Sequence, residues 1–250
     1  LLAFTSWRGI FVALALIGVM LLSASAFGLG ETLPLDRRQS GGVSASLAAF
    51  RKLLTDRRFV GYALSCGFAF AACIVYYSVS PFILQNIYGL SPQIFGILFG
   101  ANALGLAIMS QVNERLVSRI PSQKLLTWGV AVMALGGMAF LVVALGGLGL
   151  VGLLVSFFIM ATSLGLIVPN ATTLALAHTR TAGSASALLG LLQFSIGAVV
   201  VPLIGLGGTT TAVPMAAVIA AFGIATLITF IVFCRPAQAH VKVREITPFR

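Results

Sequence analysis

The stretch FVGYALSCGFAFAACIVYYSVSPFILQNIYGLSPQIFGILFGANALGLAIMSQVN, residues 59–113, runs for 55 residues without a Lys, Arg, Asp or Glu. One helix crosses the hydrocarbon layer of a bilayer in about 20 residues, so this stretch holds two crossings with an uncharged turn between them. Two more uncharged stretches follow, 55 residues at 125–179 and 54 at 181–234, and a shorter one of 22 precedes at 9–30. Each long stretch reads as a helical hairpin and the short one as a lone helix, which makes an all-α integral membrane protein of seven transmembrane helices. Composition agrees: 59% of residues are hydrophobic and 8% charged, whereas a soluble domain averages about one quarter charged. A membrane barrel would alternate polarity in segments of roughly ten residues, and residues 11–22 and 150–159 are instead apolar all round.

Punctuation places the hairpin turns. Residues 85–93 carry Asn86, Gly89 and Ser91-Pro92, a turn followed by a Ser cap and a Pro suited to the first helical position, so a helix is expected to start at Pro92. The second turn is the glycine-rich 145–149 and the third 205–214. Of the 15 Lys and Arg, all but Arg8 fall between hairpins or in the tail, which by the positive-inside rule puts residues 31–58 and the C-terminus in the cytoplasm. The net charge of +10 therefore sits in short loops beside a membrane and does not point to nucleic acid. Residues 1–30 lack a basic leader region and a small-residue cleavage site, and read as the end of something longer. Cys66, Cys73 and Cys234 lie in or at the edge of apolar segments, where neither a disulfide nor a metal framework is implied.

Within residues 31–58, the first half reads as linker. Ser44 to Arg58 places Leu47, Phe50 and Leu54 at helical spacing among Arg and Lys, which fits either a short helix on the inner leaflet or a solvated loop.

No Asp or Glu falls in any predicted span, and intramembrane carboxylates are the usual markers of proton relays. His178 lies near a span end and reads as a loop residue. An intramembrane enzyme would need a Ser and His within the spans, a His-Glu-x-x-His pattern or two membrane Asp. The sequence offers none, and His240 is in the polar tail. The chain reads as a non-enzyme without metal or cofactor.

The polar residues that enter the spans are neutral: Tyr76, Tyr77, Asn102, Asn170, Gln193 and scattered Ser and Thr. A buried amide in lipid needs a hydrogen-bond partner, on another helix or on a ligand. Pro81 and Pro169 fall late in the first helix of successive triplets, with Asn102 and Gln193 in the helix after each. Two triplets of opposite topology are a sign of secondary transporters. Gly96 and Gly100, Ala101 and Gly105, and the small run 183–187 are expected to let helices approach closely.

Several longer strings resemble the Bcr/CflA group of multidrug transporters in the major facilitator superfamily. They are Gly89-Leu-Ser-Pro-Gln-Ile-Phe-Gly96 with Asn102-Ala-Leu-Gly105, then Asn113-Glu-Arg-Leu-Val-Ser-Arg119, Pro169-Asn-Ala-Thr-Thr-Leu-Ala-Leu-Ala177, and Ala182-Gly-Ser-Ala-Ser-Ala-Leu-Leu-Gly190 followed by Gln193-Phe194. Ser6-Trp-Arg-Gly-Ile-Phe11 and Glu31-Thr-Leu-Pro34 resemble the two ends of that family's sixth helix. The resemblance implies a twelve-helix fold of which residues 1–30 form helix six, 31–58 the central cytoplasmic loop, 59–234 the C-terminal six-helix bundle and 235–250 a cytoplasmic tail. Helices one to five would be missing partners, and the proton-carrying acids would lie mainly in that absent half.

The function so implied is efflux of small hydrophobic drug-like substrates in exchange for protons, by alternating access, in the bacterial inner membrane. Substrate would meet Tyr76, Tyr77, Phe82, Asn102, Asn170, Gln193 and Phe194. Asn113, Arg115 and Arg119 would correspond to the superfamily's loop latch between helices eight and nine, with Glu114 a local partner, or serve only as positive-inside anchors. Two rivals stand beside this reading: a superfamily member carrying a nutrient or metabolite, which would usually show a buried charge, and a non-transporting membrane remnant or scaffold.

Overall fold

The computed structural model describes residues 7–28, 43–177, 179, 182–206 and 211–234, and all of its regular structure there is helical. His178, Arg180, His240 and the basic tail lie outside these residues. Two compact units separate between Gly42 and Val43. The first holds one helix, α1 (Trp7–Gly28), apolar all round and long enough to cross a membrane. The second holds α2 (Val43–Thr55), α3 (Arg57–Phe82), α4 (Pro92–Val117), α5 (Ser122–Gly146), α6 (Gly149–Leu176), α7 (Ala182–Leu206) and α8 (Val213–Cys234). With α1, the six helices from α3 to α8 make seven membrane-length apolar helices among the described residues.

The ends of these helices follow from local chemistry. Asp56 closes the step from α2 to α3, its carboxylate accepting from the backbone N–H of Arg58 at 2.9 Å and of Phe59 at 3.3 Å. This satisfies two donors that a helix start leaves open. At the far end of α3, Pro81 has no N–H to give the carbonyl four residues back. The ladder loosens there into a π turn, Ile83–Ile87, and ends at Gly89 with φ +67°. Ser91 then caps α4 by accepting from Ile94 N–H at 3.3 Å, with Pro92 in the first turn as expected. Gly147, φ +60°, ends α5 in the left-handed conformation that costs glycine nothing. α6 starts two residues later. The third turn falls largely on residues 207–210, outside the described set.

Charge-free boundaries are not helix boundaries. α4 continues past Asn113 through Glu114 and Arg115 to Val117, because nothing in Glu-Arg-Leu-Val opposes a helix. One carboxylate therefore sits in the last turns of a membrane-length helix, contrary to the expectation that the spans are free of acid. α2 confirms a helix in the polar segment, but its apolar residues divide. Leu53 is buried and Phe50 packs on the core, whereas Leu47 and Leu54 stay exposed.

The packing has an internal symmetry. α3 lies against α7 and α8, α6 against α4 and α5, α3 against α6, and α5 against α8. Exchanging the first three membrane helices of this unit for the last three leaves this pattern unchanged, as two triplets of opposite topology require. α3 and α6 are the most buried of the six, and α4 and α7 the least. Between α3, α5 and α6 sits an aromatic cluster in which Tyr76 stacks on Phe157 at 13° between ring planes, with Phe140 edge-on to both.

Lipid tails are as apolar as leucine, so helices in a bilayer associate through close contact at small residues. A Cβ at Gly136 of α5 would lie 3.0 Å from Met160 Cβ of α6, and one at Gly223 of α8 would lie 3.2 Å from the Met133 carbonyl of α5. Gly105 lies as tightly on Phe158 and Thr162 of α6, as its small-residue spacing implied. Gly96, Gly100 and Gly183 have open space around them within this unit.

Gly165→Ala should be destabilising, because its methyl would meet Ser110 N at 2.8 Å and Leu106 O at 3.0 Å, and backbone cannot step aside. The expected loss is about 1–3 kcal/mol, against no loss for Gly96→Ala, where the surroundings are open. Thermal unfolding of the two variants in detergent separates them; equal melting temperatures would contradict this packing.

Candidate functional site

A cavity of about 560 Å³ opens between α3, α4, α6 and α7. Its longest wall is one face of α4, where Leu106, Ser110, Asn113, Glu114 and Val117 recur at intervals of three and four. α6 faces it with Leu164, Val168, Pro169, Asn170 and Thr173, α3 contributes Phe70 and α7 contributes Gln193. The basic residues flanking these helices lie at the same end of the unit as Asn113 and Asn170, since α4 and α6 both end there.

The site exists because α4 and α6 meet closely above it. Gly165 of α6 sits against the α4 backbone at Leu106 and Ser110, and Gly105 of α4 makes room for the Phe158 and Thr162 side chains of α6. Four residues beyond Gly165 comes Pro169, which removes the hydrogen bond that Gly165's carbonyl would receive within α6. Beyond that point contact passes to side chains. Asn170 Nδ2 donates to Asn113 Oδ1 across the interface and also to Leu166 O in its own helix at 2.8 Å. Both amides are buried, Asn113 at 6% exposure and Asn170 at 1%, so this bond forms in a low-dielectric setting where an unpaired amide would be costly.

The remaining polar groups keep capacity for a ligand. Ser110 Oγ and Thr173 Oγ1 donate to carbonyls of their own helices, Leu106 O at 3.0 Å and Pro169 O at 2.8 Å, and retain their lone pairs. Gln193 Oε1 has only a long contact from Cys66 Sγ at 4.0 Å. Among the described residues neither Glu114, Arg115 nor Arg119 forms a salt bridge within 4.0 Å. The cavity thus joins an apolar inner wall to amides, hydroxyls and one carboxylate.

The residues expected to touch substrate are not all in one place. Asn170 and Gln193 line the cavity, joined by Asn113 from the expected latch. Phe194 is 61% exposed on α7 and meets Phe70 edge-on at 5.2 Å, one ring away from the cavity. Tyr76 is in the aromatic cluster, and Tyr77 lies beside it against Phe99 and Phe157. Phe82 is exposed at the end of α3. Asn102 is buried in a separate lateral groove of about 200 Å³ with Leu98, Leu154 and Phe158. Its Nδ2 donates to Leu98 O at 3.0 Å, while its Oδ1 is buried without a partner. Arg115 and Arg119 are exposed at the end of α4. Ser110, Thr173, Phe70 and Glu114 were not singled out from the sequence for the cavity. The signal for the first and last was the α4 spacing, read across the edge of the uncharged stretch.

Apolar membrane-length helices, paired in a two-fold pattern around a cavity with a few polar groups, define a multi-pass membrane protein of carrier architecture. The chain belongs to the Major Facilitator Superfamily, whose family model matches residues 1–202; these are carriers, and the chain is not an enzyme. It is 39% identical over 219 residues to the uncharacterized MFS-type transporter YdgK of Bacillus subtilis, covering 87% of this chain and 54% of that protein. It is 26% identical over 215 residues to a bicyclomycin resistance protein homolog of Haemophilus influenzae, covering 85% and 54%. The multidrug transporter MdfA of Edwardsiella piscicida matches at 30% over 146 residues, covering 55% and 33%. The chain spans about half the length of the first two relatives.

The Asn113–Asn170 bond predicts measurable coupling. In a double-mutant cycle of Asn113→Ala and Asn170→Ala, the two losses of stability should fail to add by about 0.6 kcal/mol and at most about 1.7, the mean and the maximum for hydrogen bonds between membrane helices. Unfolding in a denaturing detergent titration supplies the four values, and strict additivity would remove the bond from the account.

Proposed function

We propose that this chain is the C-terminal half of a secondary active multidrug efflux transporter of the Bcr/CflA type, exchanging small hydrophobic drug-like molecules for protons by alternating access. On this reading α1 is the last helix of an N-terminal bundle, residues 31–58 are the central loop, residues 59–234 are the transport bundle and 235–250 are a tail. The basic end of α3 to α8 faces the cytoplasm from the inner membrane, in keeping with the positive-inside rule. Helices one to five would supply the opposite wall and the principal proton-carrying acids.

The observation that carries the proposal is the cavity walled by α3, α4, α6 and α7, with Asn113, Asn170 and Gln193 set among apolar side chains. A few polar groups in a largely apolar pocket bind by shape and burial more than by a fixed hydrogen-bond pattern, which suits broad selectivity. Away from the cavity face, α4 shows Ile97, Leu104 and Ile108, and α7 shows Leu191, Phe194 and Val199, as exposed apolar side chains, surfaces fit to meet lipid or a second bundle. The names of the Haemophilus and Edwardsiella relatives point the same way. Tyr76, Tyr77, Phe82 and Asn102 belong to the proposal as residues reached in other states of the cycle, Asn113, Arg115 and Arg119 as the latch at the basic end.

The test is transport by the full-length protein that carries this sequence, reconstituted in vesicles. A pH gradient, acid on the side that receives the drug, should drive extrusion of a fluorescent drug, and collapse of the gradient should stop it. Asn170→Ala and Gln193→Ala should each alter the relative rates for a panel of drugs, and Asn102→Ala likewise. Unchanged rates for every drug in all three variants would sink the site assignment; transport indifferent to the gradient would sink the proton coupling.

A further inference from the structure

Five carboxylates occur in the chain: Glu31, Asp36, Asp56, Glu114 and Glu245. Asp56 caps α3, and Glu31, Asp36 and Glu245 lie outside the described residues. Among the described residues Glu114 is the one carboxylate that lines the cavity.

Helix geometry offers this carboxylate no cationic partner on α4 itself. Side chains meet along a helix at spacings of three and four, and the residues so placed around Glu114 are Ser110, Gln111, Val117 and Ser118. Arg115 is the next residue and points about 100° away around the axis. Arg119 is five residues on, beyond the last turn of α4. Neither reaches Glu114 within salt-bridge distance, and among the described residues no Lys or Arg lines the cavity. Its other polar groups, from Ser110, Asn113, Asn170, Thr173 and Gln193, are neutral. Among the described residues Glu114 is thus the one charged side chain in the lining, set in a recess with low-dielectric walls that strengthen its local field. Phe70, on the α3 wall, presents an aromatic ring of the kind that also attracts cations.

We infer that Glu114 is the charge-selecting residue of this cavity, favouring amphiphiles that carry a cationic nitrogen over neutral molecules of the same shape. The inference rests on the proposal that the cavity takes substrate and adds the group that sorts substrates by charge. An apolar body lies along Phe70, Leu106, Leu164 and Val168, while the cationic end stays at the Glu114 side, where the carboxylate is exposed. Water around Glu114 screens the pair, so selection is graded and sensitive to salt.

The test uses the full-length protein in detergent and two pyrene probes on the same butyl tether, one ending in trimethylammonium and the other in hydroxyl. The wild type should prefer the ammonium probe. Glu114→Gln should weaken that probe by about three- to fivefold and the alcohol by less than twofold, with Glu114→Asp retaining most of the preference. Equal effects on both probes, or none on either in a folded variant, overturn the charge-selecting role and leave the cavity as a drug site. Failure of the wild type to bind either probe overturns both readings. If Glu114→Gln does not fold, the wild type decides through salt: ammonium affinity should fall from roughly 0.05 M to roughly 0.5 M NaCl while alcohol affinity holds. Parallel behaviour of the two probes refutes the inference.

Discussion

The second unit depends on one constraint: in a bilayer, helices have no water to escape from, so they are held by contact between backbones at small residues. Gly136 on Met160, Gly223 on Met133 and Gly165 on Ser110 each put backbone or Cβ atoms where a larger side chain would stand, and Gly105 makes room for the Phe158 ring. Polar bonds add a few fixed points. Gln123 accepts from Tyr62 Oη at 2.8 Å and donates to Cys234 O at 2.8 Å, tying α3, α5 and the end of α8 together. Without these close approaches the long apolar helices would have no preferred neighbours, since lipid would serve them equally well.

The cavity is the consequence of where those contacts stop. α4 and α6 touch through glycine as far as Gly165, and four residues later Pro169 interrupts the α6 ladder. From there the helices are joined by the Asn113–Asn170 amide bond, and space opens toward α3 and α7. The same arrangement accounts for the uneven burial. α3 and α6 are enclosed by neighbours, whereas α4 and α7 keep long apolar faces that nothing in this unit covers.

Much of the fold was legible before any coordinates. Uncharged stretches of 55 residues exceed one crossing and match two, and Ser91-Pro92 and Gly147 mark helix ends through chemistry that acts within a few residues. The site was legible only in part. Asn170 and Gln193 stand out in the sequence as amides in apolar spans and Asn113 as part of the expected latch, and all three line the cavity. Asn102 carries the same local signal and lies in another groove. Tyr76 is buried against Phe157 and Phe140. An amide in an apolar helix announces that it needs a partner; its neighbours in sequence do not say on which side that partner waits.

Local sequence determined the number of membrane helices, their turns and the end at which basic charge gathers, because desolvating a charge or an open backbone group is costly wherever it occurs in the chain. Tertiary structure alone decided which glycines are contacts, with Gly105 and Gly165 inside an interface and Gly96 and Gly100 open. It also decided that Glu114, one residue past the edge of an uncharged stretch, belongs to the cavity wall. The physical reason is that helix rotation and crossing are set by packing between segments far apart in sequence, as where Gly165 of α6 meets the backbone of α4 at Leu106 and Ser110.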